Sequence, residues 1–185
     1  MIAFYLLYHT KEYGQKIDSK TLLIYNKNLN FLNGDIMIKI MFVCHGNICR
    51  SPMAEFVLKK MVEDCGRQAD FFITSSATST EEIWNGIGNP VYPPAREELL
   101  RHGIDPKGKR AVQLRRDDLD RYDLFVCMDR NNLRNAERIL GSKDKLCLLK
   151  DFTCGGEVGD PWYSGDFCGV YREIEHGCRA ILERY

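Results

Sequence analysis

The chain has 185 residues, 44% hydrophobic and 28% charged, the composition of one ordinary globular domain. Lys plus Arg number 26 and Asp plus Glu number 26, so the basic excess that bulk nucleic-acid binding relies on is missing. No apolar run approaches the roughly 20 residues of a membrane span, so neither a nucleic-acid nor a membrane partner is expected.

Residues 1–36 differ in character from the rest. They hold a polar stretch with Asn26, Asn28, Asn30 and Asn33, and isolated apolar clusters at Phe4 to Leu7 and Leu22 to Tyr25. Met1 to Tyr8 lacks the basic flank and small-residue cleavage site of a secretory signal. The segment is read as an N-terminal extension, disordered or upstream of the translated start, with a docking extension as the alternative. The domain is expected to span residues 37–185.

Met37 to Val43 is almost continuously apolar, which predicts a strand covered on both faces. Ser51-Pro52 predicts a helix cap followed by proline at the first helical position, and Met53, Val57 and Met61 mark one face of a helix to about Asp64. Phe71 to Thr74 reads as a second strand, followed by a loop rich in Gly, Pro and Asn. Ala95 to His102 reads as a helix closed by Gly103. Leu124 to Met128 is the third strand, Asn131 to Leu140 a helix ending at Gly141, and Leu146 to Leu149 the fourth strand. Phe167, Val170, Ile174, Cys178 and Ile181 trace a last amphipathic helix. Alternating strands and helices imply an α/β fold: a four-stranded parallel sheet flanked by helices on both faces.

The eight cysteines form no C-x-x-C pair and accompany no clustered histidines, so no zinc site and no disulfide scaffold are expected. A reducing, cytoplasmic setting fits them, with most acting as small apolar core residues.

In such a fold, ligands bind beyond the carboxyl ends of the strands. There the sequence reads Val43-Cys44-His45-Gly46-Asn47-Ile48-Cys49-Arg50-Ser51. Cys-x5-Arg alone is weak, since the abundance of the two residues gives about 0.6 chance matches in a chain of this length. Cys178 and Arg184 repeat it inside the last predicted helix, where the backbone N–H groups are consumed, and that match is fortuitous. The first match has a strand before it, Gly46 and Asn47 to permit unusual backbone angles, and a helix start after it. Residues His45 to Arg50 can curl so that successive N–H groups face one anion, a phosphate-binding loop after the first strand. The helix amino terminus adds partial positive charge and favours negative charge on the Cys44 sulfur. Arg50 closes the ring with a fork suited to two phosphate oxygens. The segment therefore sets a nucleophile beneath a bound phosphate.

This loop, continued through Pro52, resembles the signature of the low-molecular-weight protein tyrosine phosphatases. The resemblance extends through Ser76-Ala77-Thr78-Ser79, Arg101-His102-Gly103-Ile104, Tyr122-Asp123-Leu124, Cys127-Met128-Asp129 and Asp160-Pro161-Trp162-Tyr163. It implies hydrolysis of phosphotyrosine through a phosphocysteine intermediate, with Cys44 as nucleophile, Arg50 holding phosphate and Asp160 as general acid. No metal or other cofactor is implied, and a monomer acting on phosphotyrosyl proteins or peptides is expected. Ser51 would donate to the Cys44 sulfur, and Asn47 and His102 would brace the loop. His102 reads equally well as a helix-end histidine, and Asp129 as the cap of the helix near Asn131. Trp162 and Tyr163, with Trp84, would wall a slot too deep for phosphoserine, although the segment around Trp84 is longer than the family pattern. Cys49 would pair reversibly with Cys44 against over-oxidation.

Two alternatives share the fold. Thiol-dependent arsenate reductases need a further cysteine about seven residues after the third-strand cysteine, where this chain has Arg134 after Cys127. Protein arginine phosphatases carry Thr where Ile48 stands here, and Ile48 suits an aromatic ester better.

Overall fold

The computed structural model describes residues 37–185, one compact unit; the reading of residues 1–36 lies outside the described residues. Strand β1 (Ile38–Cys44) is buried at every position except Lys39, as its unbroken apolar run requires. It pairs in parallel with β2 (Phe71–Ala77) on one side, in a register that sets Cys44 opposite Ala77. Helix α1 (Arg50–Asp64) makes the crossover between them.

The Gly- and Asn-rich stretch after β2 is not wholly irregular. It folds into a two-residue antiparallel hairpin, β3 (Ile83–Trp84) and β4 (Ile87–Gly88), turning through Asn85 and Gly86 at positive φ. The Asn-Gly dipeptide is a strong hairpin signal, but two-residue strands offer too little alternation to be seen in sequence. Helix α2 (Pro93–Arg101) starts on Pro93 and Pro94, two residues before the apolar pattern begins, and Gly103 takes the left-handed turn after it.

The chain then crosses to the other side of β1, where β5 (Leu124–Cys127) pairs with it in parallel. Helix α3 (Arg130–Leu140) leads to β6 (Leu146–Leu148) at the edge, completing the order β2-β1-β5-β6. A short helix α4 (Pro161–Ser164) and the long α5 (Phe167–Arg184) finish the domain.

Two apolar cores lie on opposite faces of this sheet. On one, Ile40 and Phe42 of β1 pack with Met53, Val57 and Leu58 of α1, Leu99 of α2, and Ile174, Cys178 and Ile181 of α5. On the other, Met41 and Val43 meet Phe125, Cys127, and Ala136 and Leu140 of α3. Each large aliphatic or aromatic side chain among them contributes about 1.5–3 kcal/mol. Because successive connections from β1 leave to opposite sides, a crevice opens at its carboxyl end, where α1 and α3 both begin. Among the described residues, no helix is long and apolar enough to cross a membrane.

Candidate active site

The loop from Cys44 to Arg50 occupies that crevice. Asn47 takes the left-handed conformation, φ 57°, and its backbone N–H donates to the Cys44 sulfur over 3.3 Å. Gly46 serves space rather than backbone freedom: a Cβ there would meet the Glu82 side chain at 2.9 Å. Ser51, expected as the cap of α1, is the second residue inside the helix, and Cys49 holds the cap position without a side-chain bond. Its hydroxyl is used elsewhere. Asn47 Nδ2 donates to Ser51 Oγ at 2.8 Å, and Ser51 Oγ lies 3.0 Å from Cys44 Sγ, closer than the carbonyl of Ser76 at 3.4 Å. The single hydroxyl proton is best used on the sulfur, the stronger acceptor when ionised.

Arg50 is almost wholly buried and forms two ion pairs, Nη1 with Asp129 Oδ2 and Nη2 with Asp160 Oδ2, each at 2.6 Å. Burial alone disfavours its charge, but Cys44, Asp129 and Asp160 outweigh that and hold its pKa above the ordinary arginine value. Asp129 also caps α3 through Asn132 N at 2.7 Å, as the sequence suggested. Asp160 caps the short α4 through Trp162 N at 3.1 Å. The two carboxylates differ in access: the Asp129 side chain is 15% exposed and the Asp160 side chain 31%.

Together these residues line a pocket of about 360 Å³, with Cys44, His45, Gly46, Ile48, Cys49 and Arg50 on the loop side and Asp160, Trp162 and Tyr163 opposite. Trp162 and Tyr163 are 58% and 87% exposed, so the aromatic wall stands at the rim. Trp84 is not part of it. The exposed hairpin carries Trp84 outward, and Glu81 and Glu82 line the pocket in its place, Glu81 against His45 Nε2 at 2.9 Å.

His102 does not reach the loop. Its ring stacks on Tyr171 with centroids 3.7 Å apart, and Nε2 lies 3.2 Å from Glu98 Oε1, so only its helix-end reading fits. The loop is braced by Asn47 together with groups the sequence analysis passed over. Asn47 Nδ2 also donates to Ser75 Oγ at 2.8 Å, Ser75 Oγ donates to Glu55 Oε2 at 2.5 Å, and Lys109 Nζ lies 2.9 Å from the same oxygen. Asn47 Oδ1 accepts from the Val112 N–H at 3.0 Å. The available signal was Glu55 itself, a carboxylate one helical turn after Ser51 on a face otherwise apolar.

Burial pushes the Glu55 carboxyl up, yet Lys109 and Lys59 outweigh it and the net pKa lies below the ordinary value. The stability this contributes is therefore complete above the unfolded-chain value of about 4.5 and is lost as pH falls through the lower folded value. Glu55→Gln strands Lys109 as an uncompensated cation, so urea melts near neutral pH are expected to show a loss of about 3 kcal/mol. Melts repeated at falling pH are expected to show a shallower acid decline for the variant than for the wild type. An equal acid slope would mean that the carboxyl is not held ionised.

Burial, with the Cys44 and Asp160 charges added, pushes the Cys49 thiol far up and keeps it protonated. Cys127 is likewise raised well above the ordinary thiol value by burial, and it packs in the core on the face of the sheet opposite Cys44.

The family model for low molecular weight phosphotyrosine protein phosphatase matches residues 39–185. The chain belongs to this family. A protein of that name from Pongo abelii is 38% identical over 153 residues, covering 78% of this chain and 94% of the relative. Crystal structures of YfkJ from Bacillus subtilis and of the low molecular weight protein tyrosine phosphatase SP-PTP from Streptococcus pyogenes superpose with TM-scores of 0.74 and 0.70. They are 33% and 35% identical, and each match covers 80% of this chain and 93% of the other. The four-stranded parallel sheet with helices around it is the family's fold.

Proposed function

We propose that residues 37–185 form a metal-independent protein tyrosine phosphatase acting on phosphotyrosyl proteins. The observation that carries this reading is the position of Cys44. Its sulfur lies at the closed end of an anion pocket, within reach of the Ser51 hydroxyl and the Asn47 N–H, beside an arginine whose fork two carboxylates already hold.

In the first step the Cys44 thiolate attacks phosphorus in line and an S–P bond forms as the P–O bond to the phenol breaks. The loop amides and Arg50 hold the three remaining phosphoryl oxygens, and Asp160 gives its proton to the departing phenolate. In the second step Asp160 takes a proton from water, whose oxygen attacks phosphorus. The S–P bond breaks, inorganic phosphate forms, and the Ser51 hydroxyl stabilises the departing thiolate. Fixed positive groups supply the field that other phosphoryl-transfer enzymes obtain from a metal ion.

Asp160 is favoured over Asp129 as the acid because it is the more open carboxylate and stands two residues from the aromatic rim. The aromatic wall and Ile48 favour an aryl ester over phosphoserine or phosphoarginine. All eight cysteines are free thiols, which supports a reducing compartment such as the cytoplasm.

Purified protein in chelator and reductant is expected to hydrolyse phosphotyrosine peptides at least about tenfold faster than phosphoserine or phosphoarginine peptides of the same sequence. Turnover that needs an added metal, or a preference for phosphoarginine, would overturn the reading.

A further inference from the structure

Ahead of Asp160 the backbone is anchored, the Val158 N–H donating to the Met128 carbonyl at 2.8 Å and the Gly159 N–H to Glu173 Oε2 at 3.3 Å, whereas the turn after it leans on side-chain contacts. Helix α4 has four residues, too few to be stable alone. Asp160 is tethered to the loop through its ion pair with Arg50 Nη2. A bound phosphoryl group must take that same guanidinium, so the tether is released at the moment Asp160 is required as an acid. The turn that carries Trp162 then needs a hold of its own on the loop.

Tyr92 is placed to do this. Its backbone N–H donates to the carbonyl of Ile48, in the anion loop, at 2.8 Å. Pro93 follows it and confines its backbone to the extended conformation observed, φ −55° and ψ 133°. The base of the ring is therefore fixed to the loop at little entropic cost. The ring itself meets Trp162, two residues after Asp160, with centroids 5.1 Å apart at 52°, and Phe167 at the start of α5 at 6.0 Å. Such tilted pairs are favourable beyond the area they bury. One residue thus joins the phosphate-holding loop to the acid segment by contacts that phosphate does not displace.

The geometry points to Tyr92 as a positioning residue that keeps Asp160 at the leaving-group oxygen once phosphate has occupied Arg50. The inference rests on the phosphatase reading above. It acts through Trp162, so its effect falls on leaving-group protonation and not on phosphate affinity.

The test compares the wild type with Tyr92→Leu and Tyr92→Phe on aryl phosphates of increasing leaving-group basicity, with inorganic phosphate as competitive inhibitor. For Tyr92→Leu, kcat/KM is expected to fall about three- to tenfold on the most basic leaving groups and little on 4-nitrophenyl phosphate. The phosphate inhibition constant should stay within about twofold, and Tyr92→Phe should restore the wild-type pattern. An unchanged leaving-group dependence in Tyr92→Leu overturns the inference. So does a loss of phosphate affinity equal to the loss of kcat/KM, which would place the effect in the loop.

A second measurement keeps native Tyr92. In a Trp84→Phe protein Trp162 is the one remaining indole, and its emission should hardly move when phosphate binds. A shift towards solvent-exposed emission would show the segment released and the inference wrong. Wild-type protein inactive on every aryl phosphate would overturn the phosphatase reading and this inference together; an active wild type with an indifferent Tyr92→Leu variant overturns this inference alone.

Discussion

Cys44→Ser is expected to reduce aryl phosphate turnover by about 10⁴-fold or more. The substitution exchanges one atom for a smaller one at a buried position, so the fold and the loop should persist. What changes is the ionisation of the group. A sulfur anion would be met by the Ser51 hydroxyl, the Asn47 N–H, the start of α1 and Arg50. A serine hydroxyl ionises far too weakly for the same field to stabilise its anion, and His45, which lines the pocket, directs its Nε2 to Glu81 Oε2 at 2.9 Å. The pocket should still bind inorganic phosphate or a phosphotyrosine peptide, which separates loss of the nucleophile from collapse of the site. Retained turnover would mean that water attacks directly and that Cys44 is only part of the loop.

Asp160→Ala is expected to cost about 10²–10⁴-fold in turnover of phosphotyrosine. The size should depend on the leaving group, because an acid matters most where a basic phenolate would otherwise depart unprotonated. The variant should therefore approach the wild type on esters of acidic phenols and diverge steadily as the phenol becomes more basic. Arg50 would retain Asp129 at 2.6 Å, so the guanidinium stays in place. Phosphate affinity should hold or improve, since one of the two carboxylates competing for the fork is gone. A uniform fall across all leaving groups would assign Asp160 a structural role at the head of α4. No fall at all would return the acid role to Asp129.

The two variants bear on opposite ends of the same bond. In the proposed mechanism the sulfur comes from the end of β1 and the proton from a loop near the end of the chain. Arg50 ties them together and must be shared between carboxylates and substrate.

The loop was readable in sequence because everything it needs is local. A strand, seven residues and a helix start specify Cys44 and Arg50 without reference to the rest of the chain, and the decoy at Cys178 and Arg184 fails on the same local criteria. Strands and helices were likewise legible through their apolar periodicity, down to Asp129 as the α3 cap and Gly141 as its left-handed stop. Errors arose where one residue has two outlets for its hydrogen bonds. Ser51 reads as a cap by its place before Pro52, but its hydroxyl lies 3.0 Å from the sulfur, the contact the family resemblance implied, and accepts from Asn47 Nδ2. His102 reads equally as a brace and as a helix-end histidine, and the choice falls to Tyr171, distant in sequence, which stacks on its ring.

The sequence by itself determined the elements of the four-stranded sheet and its helices, the anion loop and the family, but not the β3–β4 hairpin. Only the tertiary structure decided which distant groups stand around that loop. Asp160 on Arg50 spans 110 residues, Tyr92 on Trp162 joins segments on either side of β5, and Lys109 reaches Glu55 beneath the loop. None of these pairs has a spacing that periodicity or turn chemistry would reveal. They meet because burying both faces of β1 sends successive connections to opposite sides of the sheet, and the crevice left at its carboxyl end gathers residues by space alone.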